Sequence, residues 1–119
     1  MKKVLFVEDE PILLELIAEN ITDAGFIVLS AKDGPEAMAH IEKEPGIDIL
    51  ITDLNVPGAK GDIIATHFRK KYAQAPICIL SGHLDAESTI KFEIPMDPIT
   101  FKSKPTPQKE LINWLLQNK

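Results

Sequence analysis

Cysteine is nearly absent from this chain of 119 residues, which has Cys78 alone. An internal disulfide is therefore excluded, and a reducing compartment is the simplest expectation. An excess of positive charge is also lacking, because 18 Asp and Glu outnumber 13 Lys and Arg and the formal net charge is −5. A nucleic-acid-binding domain normally carries a basic patch or stripe, so the composition argues against contact with nucleic acid.

Long apolar runs are missing as well. No uninterrupted stretch approaches the roughly 20 apolar residues that a transmembrane helix needs. The run from Val4 to Val7 follows two lysines but ends at Glu8, and it is too short for the apolar region of a signal peptide. With 45% hydrophobic residues and no long linker or repeat, the sequence predicts one cytoplasmic domain over residues 1–119 without membrane contact.

Short apolar runs alternate with segments of helical periodicity along the chain. This alternation predicts a parallel sheet with helices on both faces. Strands are predicted at residues 4–7, 26–29, 47–52, 77–80 and 99–102. Helices are predicted from Pro11 to just before Gly25, after a capping pattern formed by Asp33 and Glu36, from about residue 60 to 72, and after Thr106 as N-cap with Pro107 in the first turn.

The segment 84–98 fits the alternation least well. A helix is expected to begin near residue 85, but Pro95 and Pro98 cannot lie inside one. Apolar side chains at residues 90, 92 and 94 alternate with period two, which favours a strand. We therefore expect a short or irregular fourth helix.

Charged and hydroxyl side chains follow the ends of four predicted strands. Ligands of open parallel sheets bind at this carboxyl edge, so these side chains are expected to converge there. Carboxylates at close quarters repel one another unless a cation intervenes, and Mg²⁺ is typically held by carboxylates, waters and phosphate. A carboxylate can also accept a phosphoryl group, whose charge a metal ion, a lysine and a hydroxyl would neutralise. The residues are Glu8, Asp9, Asp53, Ser81 and Lys104.

Each of these residues alone has a simpler interpretation. The acids near the first strand could favour a helix N-terminus, and Asp53 could be a turn residue. Ser81 with Gly82 could be an ordinary turn, and Lys104 could be a solvated lysine before a proline. Their combined placement at strand ends favours phosphoryl transfer to a carboxylate.

Together these motifs resemble the receiver domains of two-component response regulators over essentially the whole chain. The resemblance implies a flavodoxin-like α/β fold, a doubly wound parallel (βα)5 sheet with strand order 2-1-3-4-5. Glu8 in place of the commoner aspartate and the proline-bearing 84–98 segment depart from the family pattern. The matching motifs are Glu8-Asp9, Asp53 with Pro57 and Gly61, Ser81-Gly82, Phe101, and Lys104-Pro105.

The resemblance also implies a role for each position. Asp53 would be the phosphoacceptor. Mg²⁺ would be bound directly by Asp9 and Asp53, through water by Glu8, and by the backbone carbonyl of Asn55. The remaining expected roles are phosphate contact by Ser81 and Lys104, inward rotation of Phe101 on activation, loop shaping by Pro57, Gly61 and Pro105, and tuning of phosphate lifetime by Asn55 and His83.

A signalling switch is implied rather than an enzyme, since the chain would catalyse only its own phosphorylation and dephosphorylation. The expected partners are a histidine kinase or a histidine phosphotransfer protein and a downstream target that the sequence does not name. The switching surface would surround the fourth helix, the fifth strand and the last helix. The resemblance also allows a phosphorylation-dependent dimer.

Two other functions would need features that the sequence lacks, and a third stays open. An aspartate-based phosphatase would need an acid where Asn55 stands, and a cap domain. A flavodoxin-type electron carrier would need a phosphate loop after the first strand, where Glu8 and Asp9 would repel phosphate without a metal. A phosphorylation-independent scaffold that retains the receiver fold stays open because of the irregular 84–98 segment.

Overall fold

The computed structural model of the chain describes residues 1–82 and 90–119. Five strands and four helices lie within these residues. The strands are β1 (Lys3–Val7), β2 (Ile27–Ala31), β3 (Ile49–Asp53), β4 (Ile77–Ser81) and β5 (Ile99–Ser103), and the helices are α1 (Pro11–Asp23), α2 (Gly34–Lys43), α3 (Gly61–Lys71) and α4 (Gln108–Gln117).

All five strands are parallel and lie in the order β2-β1-β3-β4-β5, so the predicted fold class is confirmed. β1 lies inside the sheet, and its residues Val4 to Val7 are at most 1% exposed. The order runs to β2 on one side of β1 and to β3, β4 and β5 on the other. The crevice where the order changes, between β1 and β3, is where open α/β sheets bind ligands.

Two apolar layers cover the two faces of the sheet. Side chains of α2 and α3, such as Ile64 and Phe68, form one layer and are fully buried. Side chains of α1 and α4, such as Ile21 and Trp114, form the other. None of the four helices in the described ranges combines the length and apolar character needed to cross a bilayer.

Two helix ends agree with the sequence and one differs. The Asp33 side chain accepts a hydrogen bond from the backbone N–H of Glu36 at 2.8 Å, as the capping pattern predicts. Gly25 follows α1 with a φ of 100°, in the left-handed region that favours glycine. Thr106 does not cap α4, because its hydroxyl donates instead to the carbonyl of Ser103 at 2.7 Å. The predicted cap is wrong, and α4 begins one residue later than expected.

The strand bounds also differ slightly from the predicted apolar runs. β2 begins after Phe26, and β3 begins two residues after Ile47, although these two side chains are 1% and 2% exposed. Apolar runs report burial, and burial extends beyond the hydrogen-bonded part of a strand.

Residues 90–98 form neither a helix nor a strand. The alternating side chains of Phe92 and Ile94 pack against the layer of α2 and α3, and Met96 is buried in it. Period two therefore reflects an irregular segment whose apolar side chains pack on the core, rather than a strand of the sheet. The expected start of a fourth helix near residue 85 lies outside the described residues.

We predict different stability effects for two apolar residues of α3. Phe68 is 0% exposed, whereas Ile63 is 54% exposed. Phe68→Ala should lower the free energy of unfolding by about 3–5 kcal/mol, because it removes a buried ring and leaves a cavity. Ile63→Ala should change it by about 0.5 kcal/mol or less. Urea titration measures both, and equal losses would contradict this orientation of α3.

Candidate functional site

Acidic side chains from two strands meet at the carboxyl edge of the sheet. Glu8 and Asp9 follow β1, and Asp53 ends the neighbouring β3. One carboxylate oxygen from each of the three lies within 4.8 Å of the others. The structure therefore brings the three predicted acids together at the crevice where the strand order changes.

Lys104 brings a positive charge to these acids. Its Nζ lies 3.0 Å from Oδ2 of Asp53 and 3.5 Å from Oε1 of Glu8. Its backbone N–H donates to the carbonyl of Ser81 at 2.7 Å, which fastens the end of β5 to the end of β4. The Lys104–Pro105 peptide bond is cis. Two predicted strand-end residues, Ser81 and Lys104, are thus neighbours across the β4–β5 pair.

The acids differ strongly in exposure. Glu8 and Asp53 are only 1% and 3% exposed, whereas Asp9 is exposed. Burial raises the pKa of the Asp53 carboxyl, and the hydrogen bond and charge of Lys104 oppose this rise only in part. Both carboxylate oxygens of Glu8 and Oδ1 of Asp53 accept no hydrogen bond within the described part of the chain. Such buried oxygens are costly, and they match the ligands that a hard divalent cation prefers.

The loop from Asp53 to Gly61 is held in place by backbone contacts. The N–H of Gly61 donates to the carbonyl of Leu54 at 2.7 Å. A Cβ at Gly61 would lie 2.2 Å from the carbonyl oxygen of Asp53, so a larger residue cannot fit without moving the site. The carbonyl of Pro57 accepts a hydrogen bond from the N–H of Gly34 at 2.7 Å, which ties the loop to the start of α2.

Three other predicted residues lie elsewhere. Asn55 follows Asp53 in this loop, and its side chain is exposed. Phe101 is half-buried on β5, opposite Ile79 of β4, and packs against the layer of α2 and α3. His83 lies outside the described residues.

A cavity of about 370 Å³ adjoins the carboxylates, and no feature of the sequence predicted it. Glu8, Asp53 and Lys104 belong to its lining, together with other polar residues and with apolar side chains such as Leu13 of α1 and Leu111 of α4. Helical periodicity places these leucines toward the core. It does not report the space left between two helices, so the cavity became visible only in the structure.

The sequence was compared with known families and proteins. It matches the family described as response regulator receiver domain over residues 4–116. It is 30% identical over 112 residues to the sensory transduction protein RegX3 of Mycolicibacterium smegmatis, a match that covers 94% of this chain and 48% of that protein. The chain therefore spans about half the length of this curated relative.

Several solved structures are similar over nearly the whole chain. The chemotaxis response regulator CheY4 of Vibrio cholerae is 27% identical with a TM-score of 0.85, covering 100% of this chain and 99% of that one. The response regulator TrrA of Thermotoga maritima, in complex with Mg²⁺–BeF, is 26% identical with a TM-score of 0.82 and full coverage, 100%, of both chains. The receiver domain of the hybrid histidine kinase CckA is 31% identical with a TM-score of 0.80, covering 98% of this chain and 97% of that one.

We predict that Asp53→Asn stabilises the protein at neutral pH in metal-free buffer. A carboxyl whose pKa is raised by folding binds its proton more tightly in the folded chain. The wild type should therefore lose stability as the pH rises from the ordinary value of 3.8 through the raised pKa. Asparagine does not titrate, so the stability difference should open over that range, by up to about 1.4 kcal/mol for each pH unit of the rise in pKa.

Urea titrations at several pH values measure this difference. Asp23→Asn, at an exposed residue of α1, is the matched control and should keep the pH profile of the wild type. A stability difference between wild type and Asp53→Asn that is the same at every pH would contradict the raised pKa.

Proposed function

We propose that this chain, which belongs to the response regulator receiver domain family, is a phosphorylation-controlled switch whose phosphoacceptor is Asp53. The observation that carries the proposal is the contact of the Asp53 carboxylate with the Lys104 ammonium, at 3.0 Å, beside two further carboxylates. Receiver domains are signalling switches, and Asp53 would be the residue of this switch that accepts the phosphoryl group. The proposed domain extends over residues 1–119.

Phosphoryl transfer to Asp53 needs an ionised carboxylate. One of its oxygens forms a bond to phosphorus while the bond between phosphorus and the leaving group of the donor breaks. The transferring group spreads negative charge over its equatorial oxygens. The Lys104 ammonium is close enough to Asp53 to stabilise one of them, and the Ser81 hydroxyl, at the end of β4, is proposed to donate to another. Lys104 also favours the ionised form of Asp53, against the effect of burial on its pKa.

Mg²⁺ is the proposed cofactor, because the buried oxygens of Glu8 and Asp53 fit a hard cation. Asp9 and Asp53 would bind it directly, Glu8 through water, and Asn55 through its backbone carbonyl. When bound, Mg²⁺ supplies positive charge that offsets both the carboxylates and the phosphoryl oxygens. The complex of TrrA with Mg²⁺–BeF supports this assignment by similarity.

The proposed phosphodonor is a histidine kinase or a histidine phosphotransfer protein, acting in the cytoplasm on a pathway whose output is not identified. Similarity to a sensory transduction protein and to the receiver of a hybrid histidine kinase supports this class of partner. Ser81 and Phe101, on the neighbouring strands β4 and β5, would transmit the change to the surface around β5 and α4. Asn55 and His83 would tune the phosphate lifetime, and Pro57, Gly61 and Pro105 would shape the loops of the site.

Intact mass spectrometry after incubation with acetyl phosphate and Mg²⁺ tests the acceptor. The wild type should gain about 80 Da, the mass of one phosphoryl group, and Asp53→Asn should gain nothing. Excess EDTA should prevent labelling of the wild type. Asp48→Asn is the matched control, because Asp48 lies before β3, at the opposite edge of the sheet, where its carboxylate accepts the backbone N–H of Lys3. Unchanged labelling of Asp53→Asn would sink the assignment, and an unlabelled wild type would favour the scaffold.

Titration calorimetry tests the metal site. Asp9→Ala should weaken Mg²⁺ binding by about a hundredfold and Glu8→Ala by about tenfold, since outer ligands usually contribute less than direct ones. Glu10→Ala is the control, because Glu10 is exposed and outside the group of three acids. Equal Mg²⁺ affinity in the wild type and in Asp9→Ala would refute the site.

A further inference from the structure

Arg69 of α3 is buried, at 4% exposure, although arginine is rarely buried without a partner. It follows Ala65 by four residues and therefore continues the buried stripe of the helix. Burial lowers the pKa of its guanidinium, and the charge of Asp97 opposes this shift. Among the described residues, no carboxylate forms an ion pair with it. Its position on an apolar stripe was the one sign of this burial in the sequence.

Backbone carbonyls take up the full donor capacity of the guanidinium, which has five N–H groups. Nε and Nη2 donate to the carbonyl of Met96 at 3.0 and 2.6 Å, and Nη2 also donates to that of Pro98 at 2.8 Å. Nη1 donates to the carbonyls of Tyr72 and Ala75 at 2.9 and 2.6 Å. Hydrogen bonds to a charged group are stronger than neutral ones, so this arrangement is a firm clamp.

The clamp joins two irregular segments. Tyr72 and Ala75 lie between α3 and β4, and Met96 and Pro98 lie just before β5. The carbonyl of Pro98 also accepts the backbone N–H of Ile77, the first residue of β4, at 3.2 Å. One carbonyl therefore links the guanidinium to the first rung of the β4–β5 ladder.

β5 needs such an anchor because, within the described ranges 1–82 and 90–119, it is an edge strand paired with β4 alone. Its register, from Ile77 opposite Ile99 to Ser81 opposite Ser103, sets where Lys104 emerges. A slip of one residue would move Lys104 by about 3.3 Å along the strand and turn every side chain of β5 to the other face. The 3.0 Å contact of Lys104 with Asp53 allows no such displacement.

We propose that Arg69 is a positioning residue for the phosphoryl site, holding the start of β5 and thereby the Lys104 ammonium beside Asp53. This inference rests on the proposed function. The three acids lie at the carboxyl ends of β1 and β3, and neither of these strands neighbours β5 in the order of the sheet. Arg69 therefore acts on recognition of the phosphoryl group and not on binding of the metal ion.

Two binding affinities of the Arg69→Lys variant distinguish an effect on recognition of the phosphoryl group from an effect on binding of the metal ion. Lysine keeps the charge and an apolar stem but cannot reproduce the planar fork. Affinity for beryllofluoride, a mimic of the phosphoryl group, is measured by fluorine NMR in saturating Mg²⁺, and affinity for Mg²⁺ alone by calorimetry. Beryllofluoride affinity should fall about tenfold while Mg²⁺ affinity changes by about twofold or less, since a residue that acts through coupled elements alters binding only modestly.

A general loss of stability would lower both affinities, and that result would overturn the positioning role. Lys70→Met, at the exposed neighbouring residue, is the control and should change neither affinity. Arg69→Gln, which lacks the charge but keeps an amide, is a second variant in case Arg69→Lys does not fold. It should show the same selective loss.

Lys104→Ala distinguishes the two levels of the proposal. A wild type that does not bind beryllofluoride in Mg²⁺ would refute the proposed function, and the inference with it. If the wild type binds it, Lys104→Ala loses affinity and Arg69→Lys keeps it, then the positioning role is wrong and the proposed function stands. Selective loss in both variants supports the role of Arg69.

Discussion

The contact between the Lys104 ammonium and two buried carboxylates is the constraint on which the rest of the structure depends. Glu8 and Asp53 are almost fully buried, and Lys104 lies 3.5 and 3.0 Å from them. Removing the cation would leave uncompensated negative charge in a place of low dielectric, which is strongly unfavourable. The sheet order satisfies this constraint, because it sets β1 beside β3 and carries β5 to the same edge across β4.

One lysine does not satisfy all the oxygens of the site. Three of the four carboxylate oxygens of Glu8 and Asp53 accept no hydrogen bond within the described residues, and burial keeps the pKa of Asp53 raised. The site therefore carries a free-energy cost in the absence of ligands. Binding of a hard cation would stabilise these carboxylate oxygens. It would also place positive charge beside Asp53, where the proposed phosphoryl transfer needs it. The unpaired, buried carboxylate oxygens therefore account both for the free-energy cost of the ligand-free site and for its proposed binding of a cation.

The fold meets a second demand in the segment before β5. Residues 90–98 form neither a helix nor a strand, so their backbone carbonyls need donors other than those of regular secondary structure. Arg69 of α3 supplies donors to the carbonyls of Met96 and Pro98, and the apolar side chains of Phe92, Ile94 and Met96 supply the packing. A side chain thus replaces regular secondary structure at the entrance to the strand that carries Lys104.

Periodicity and strand-end chemistry were enough to predict the helices and strands and the convergence of the three acids with Lys104, because both are local properties of the chain. Exposure of individual acids was not predictable, since Glu8 is buried and the adjacent Asp9 is exposed. The carbonyls of Met96 and Pro98 bound by Arg69 and the cavity beside Asp53 depend on groups distant in sequence. A hydrophobic pattern reports that a side chain is buried but not what it contacts, so these features were set by how the helices pack on the sheet.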